Sequence, residues 1–135
     1  MMRGRAAIAL LMALAAAPAV AVGLSPLEKG GLTDSASKAF YLTVINPYND
    51  VREFKLYVER SDGSQVEIRP QRLRIAGQKQ RRVLVILNDL APGEAKTVRV
   101  CASLAKQQGI INARVCSDLS ARRVDRRAVE PGDGN

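Results

Sequence analysis

Histidine is missing from all 135 residues. That removes the usual general base, the commonest zinc ligand and the Ser-His-Asp triad together. Tryptophan is missing too, and only three tyrosines and two phenylalanines are present. These are too few for the stacking platforms on which single-stranded nucleic acid is held, so nucleic acid is not an expected partner. No P-loop, dinucleotide fingerprint or calcium loop occurs. Glu53, Glu59 and Glu67 alternate with apolar positions, the pattern of solvated strand faces rather than of a catalytic pair. The expected function is binding: no enzyme, no catalytic residue, no metal site and no cofactor.

Long apolar runs are also scarce. The one candidate lies at the N-terminus, where Arg3 and Arg5 precede an apolar stretch over residues 6–16, followed by the small-x-small step Ala19-Val20-Ala21. A bilayer-spanning helix needs about 20 apolar residues, and this run is shorter and broken by Pro18. The three parts match a cleaved secretory signal over residues 1–21, so the expected mature chain starts near Val22, is exported, and is not an integral membrane protein. About 114 residues then remain, enough for one domain with a modest core.

Basic residues outnumber acidic ones, 21 against 13, for a net charge of +8. The excess concentrates over residues 69–82 and 122–127. Such charge attracts acidic surfaces or polyanions, although the plainer reading is a solvated basic face.

Strand patterning dominates the remainder. Phe40, Leu42 and Val44 alternate with Tyr41, Thr43 and Ile45, a segment fit to be covered on both faces. Asn46-Pro47-Tyr48-Asn49-Asp50 reads as a turn. Phe54, Leu56 and Val58 alternate with polar residues, as on a half-buried strand, and resume after Asp62-Gly63 at Val66 and Ile68. Pro70 marks a strand end, an edge or a crossing between sheets. Residues 83–87 form a continuous aliphatic run, the best candidate for a central strand. Val98, Val100 and Ala102 line one face of a further strand, and Ile111, Ala113 and Val115 point inward from the last. The spacing predicts an all-β fold, an Ig-like β-sandwich of about seven antiparallel strands over residues 22–120, with a basic, frayed tail over 121–135.

Cysteine is as sparse as it can be for a bridge: Cys101 and Cys116 are the only two. They lack the C-x-x-C spacing of a redox pair, and behind an export signal they read as a structural disulfide. Each points away from the apolar row of its own strand, so both sulfurs fall on the outer face of one hairpin. They face each other when the turn centres between Gln108 and Gly109. A four-residue loop over 107–110 would set them at a non-hydrogen-bonded pair.

Phe40-Tyr41-Leu42-Thr43-Val44-Ile45-Asn46-Pro47 resembles the second strand and turn of PapD-like periplasmic pilus chaperones. The stretch Ile68-Arg69-Pro70-Gln71-Arg72-Leu73-Arg74-Ile75-Ala76-Gly77-Gln78 is similar to that family's proline, Arg-Leu pair and glycine turn, and Val22-Gly23-Leu24-Ser25-Pro26 suits its first strand. The resemblance implies an N-terminal Ig-like domain that holds pilus or fimbrial subunits by strand addition, in the periplasm, with an outer-membrane usher as a further partner. It also implies a basic anchor for the subunit's terminal carboxylate, which by position falls at Arg114, and a strand-pairing row of Ile111, Ala113 and Val115. Two departures stand out: Gly23-Leu24-Ser25-Pro26-Leu27 holds no counterpart of the family's first-strand arginine, and no second Ig-like domain is read. The alternative is a secreted Ig-like envelope module, structural or adhesive, that binds an anionic surface.

Overall fold

The computed structural model describes residues 22–62, 65–106 and 113–125. They form nine strands: β1 (Gly23–Ser25), β2 (Glu28–Thr33), β3 (Lys38–Ile45), β4 (Arg52–Ser61), β5 (Val66–Arg69), β6 (Arg72–Ile75), β7 (Gln80–Leu87), β8 (Ala95–Leu104) and β9 (Arg114–Arg123). Two sheets pack as a sandwich, one in the order β1-β3-β7-β5 and the other in the order β2-β9-β8-β4-β6. No helix occurs among the described residues.

The core follows the alternation. Phe40, Leu42 and Val44 of β3 and Val83, Val85 and Leu87 of β7 meet Phe54, Leu56, Val98, Val100 and Ala102 of the other sheet in one buried cluster. The opposite face of β3 is not covered as its sequence suggests. Tyr41 is 56% exposed, and Thr43 and Ile45 are half-buried, because no third layer packs there among the described residues.

Nine strands replace the expected seven because two strands break after a few residues and resume on the other sheet, β1 into β2 and β5 into β6. β1 pairs antiparallel with β3, whereas β2 crosses to the other sheet and pairs parallel with β9. β5 pairs with β7, and β6 then crosses to β4. Pro26 and Pro70 stand at the two crossings, each after a cis peptide bond. A proline has no N–H to give a ladder, which suits it to the point where a strand leaves one sheet for another. β9 also outruns its expected end. It continues through Arg123, with Ala121 buried in the core and paired with Gly31 of β2. The boundary at residue 120 and the tail from 121 therefore miss three strand residues. The rest of that tail, residues 126–135, and the signal segment 1–21 lie outside the described residues.

The Asn46-Pro47 turn is held by one side chain. Asn46 is fully buried; its Nδ2 donates to the carbonyls of Asp50 and Ile75 (both 2.9 Å), and its Oδ1 accepts from the Tyr48 N–H. This pins the 46–50 loop onto the turn after β6. There Gly77 serves close approach, since a Cβ would overlap the Asn49 carbonyl, and the left-handed residue is Gln78 (φ 62°).

Candidate functional site

β9 is paired with β8 along one side from Arg114 to Arg122. Along its other side β2 covers only residues 118–123. Residues 114–117 therefore present an edge with no strand beside it among the described residues. The sequence explains why β2 stops there: Pro26 and Leu27 carry the chain over from the other sheet, and the first ladder contact is the Asp118 N–H donating to the Leu27 carbonyl at 2.9 Å. The Ser117 hydroxyl donates to the Pro26 carbonyl at 2.6 Å and closes the junction.

Which backbone groups face that edge follows from the disulfide. Cys101 and Cys116 are direct partners in the β8–β9 ladder, bridged, with Cα atoms 4.0 Å apart. That short separation marks a non-hydrogen-bonded pair, about 4.5 Å in regular sheets against about 5.5 Å for the other kind. The N–H and C=O of Cys116, and by the period of two those of Arg114, turn away from β8 toward the open side. The register is the one read from the sequence. The loop expected over 107–110 lies outside the described residues, as does Ile111 of the strand-pairing row. Of that row, Ala113 is exposed just before β9, and Val115 is half-buried against the protein's own core.

The outer face around the bridge is a charged cluster. Arg114 is half exposed and already holds a carboxylate: its Nη2 lies 2.6 Å from Glu59 Oε1. A hydrogen bond with the Tyr57 side chain, then the Glu59 charge, raise its pKa further above the ordinary arginine value. Glu59 is the residue that sequence reasoning missed. Its alternation reads as a solvated position, but β4 bulges between Val58 and Arg60, and the extra residue is re-aimed at the bridge. Glu59 Oε2 sits 3.2 Å from Cys101 Sγ and 3.6 Å from Cys116 Sγ. A disulfide sulfur has no proton to donate, so this is close contact and not a hydrogen bond. With both sulfurs in the bridge, neither thiolate that a metal would need exists. Next along the strands, Arg99 donates to both oxygens of Asp118, from Nε at 2.8 Å and from Nη2 at 3.3 Å. That pairing holds the Asp118 carboxyl below its ordinary pKa.

No protein-family model matches the chain, and no curated protein matches it. Solved structures do. The class 5 fimbriae chaperone CfaA is similar at 10% identity and TM-score 0.61, over 76% of this chain and 56% of that one. The Salmonella enterica SafA pilin in complex with the SafB chaperone gives 17% identity and TM-score 0.61, over 80% and 57%. PapD-like domain 7 of human CEP192 is similar at 9% identity and TM-score 0.64, over 78% and 87%. The chain spans little more than half the length of the fimbrial chaperone structures it matches. At these identities the likeness is one of fold, and the fold is the PapD-like Ig sandwich that fimbrial chaperones share.

Proposed function

We propose that the chain is a chaperone-like protein of pilus or fimbria assembly, exported to the periplasm, which holds a subunit by strand pairing along the open half of β9. The observation that carries this reading is the unpaired edge at residues 114–117, with the backbone groups of Arg114 and Cys116 turned outward. An extended segment can add there by main-chain hydrogen bonds. Pilus subunits are the proposed partners, with an usher beyond them, and the role is binding without catalysis. Anchoring a subunit carboxylate at Arg114 requires that it displace Glu59, which already occupies the guanidinium.

Two substitutions at one position separate backbone from side chain. Arg114→Pro deletes an N–H that no internal ladder uses, so the fold should survive while co-purification with a co-expressed subunit is lost. Arg114→Gln keeps the N–H and removes the charge, so it should weaken capture only if the side chain anchors. Retained capture by the proline variant, with its unfolding midpoint unchanged, would sink strand pairing at this edge. The second reading, an envelope module on an anionic surface, draws on a different observation: cations without acidic partners at one end of the sandwich.

A further inference from the structure

One end of the sandwich is made by the Asn46–Asp50 turn, the turn between β6 and β7, the end of β8 and the start of β9. Arg74, Lys79, Arg81 and Lys106 crowd this end, all exposed, and none has an acidic partner among the described residues. Asp50 and Glu53 are the nearby acids: Asp50 pairs with Arg52 at 2.9 Å, and Glu53, opposite Arg74 in the β4–β6 ladder, lies 3.6 Å from Arg72. Elsewhere Arg69, Lys96, Arg99 and Arg114 pair with carboxylates and Lys38, Lys55 and Arg82 lie over aromatic rings, while Lys29 and Arg122 at the opposite end show no acidic partner among the described residues.

The same end carries apolar surface and a cavity. Val51 is 50% exposed at the rim, and Tyr48 lies under the Arg52 guanidinium, 4.3 Å from its ring. A cavity of about 290 Å³ is walled by Val51 and Leu104 and ringed by Arg52, Arg74 and Lys106, with Glu53 its one acid.

The geometry points to this end as a docking surface for an anionic lipid bilayer, with a head-group phosphate in the cavity and Val51 against the interfacial layer. Charge complementarity favours a membrane over a folded acidic partner. The free cations come from β6, β7, the turn between them and the end of β8 instead of from one element, and an exposed apolar residue, Val51, sits at the same end. A fluid sheet of phosphates satisfies that arrangement without matching any fixed shape. The inference rests on different residues from strand pairing, although the open edge of β9 begins at the same end, where Arg114 faces Ser103.

Sedimentation of the exported chain with lipid vesicles tests it. Binding should be strong to phosphatidylcholine vesicles that contain phosphatidylglycerol and absent with phosphatidylcholine alone. It should be lost near 1 M salt, where the screening length is about 3 Å. Each basic residue near an anionic surface strengthens partition about fivefold. The double variant Arg74→Glu/Arg81→Glu should therefore bind at least about 25-fold more weakly. Lys29→Glu/Arg122→Glu, with the same charge change at the other end, should bind far better than that. Equal loss in both variants would overturn the assignment, as would equal binding to neutral vesicles. Release by millimolar inorganic phosphate, beyond that by chloride of equal ionic strength, would make the cavity a small-anion site instead. Binding to soluble polyglutamate but not to vesicles would assign the end to an acidic protein.

Discussion

Asn46 shows how much one side chain can hold. It supplies three donor contacts and one acceptor contact to two loops while fully buried. Asn46→Ala would leave those carbonyls unsatisfied, at about 1–3 kcal/mol for a buried polar group without a partner. Urea unfolding should show a lower midpoint with an unchanged slope. Asp118 behaves differently, because its pair with Arg99 is exposed. Its folded pKa is lowered, so the pair contributes stability above the unfolded value of about 3.9, and that contribution fades as pH falls through the folded value. Asp118→Asn should be less stable than the parent at neutral pH and equal to it in strong acid, as read from thermal midpoints across pH. Arg114 was legible as an outer-face arginine beside Cys116. Its partner Glu59 was not, because pairing residues 55 apart depends on the β4 bulge, which no local pattern announces.

Elements with strict alternation and a buried face, such as β4 and β7, were legible because the period of two is set by burial itself. β2 was not. Glu28-Lys29-Gly30-Gly31-Leu32-Thr33 has no alternation, and it is a strand only because β9 offers it a parallel partner. The end of β9 was hidden for a related reason: Ser120-Ala121-Arg122-Arg123 buries one methyl group and otherwise reads as polar tail. The cysteine register was legible since it needs only side-chain parity and a turn centre. Removing the bridge by Cys101→Ser/Cys116→Ser opens a loop with a separation of 15 residues. That should cost about 3 kcal/mol on a chain-entropy account, measured by chemical unfolding against the oxidised parent.

At the level of the molecule, the sandwich closes only when β2 and the last residues of β9 meet. A chain ending at residue 120 loses the strand partners of Gly31, Leu32 and Thr33, so it should melt well below one ending at Asp125. The comparison needs only two truncations and a thermal scan, and equal midpoints would show that β2 contributes little. The fold as a whole was readable from spacing and turns; the gathering of unpaired cations beside the 46–50 turn was not, because it depends on which cations find partners in space. The disulfide has one mechanical consequence. A segment lying along residues 114–117 would pull on β9 at its least supported stretch, where no strand flanks it on the outer side. The Cys101–Cys116 bridge rivets that stretch to β8, itself flanked by β4. Force on a captured strand would pass through a covalent link into the middle of the five-stranded sheet, so the edge should resist being peeled away and the captured strand should detach first.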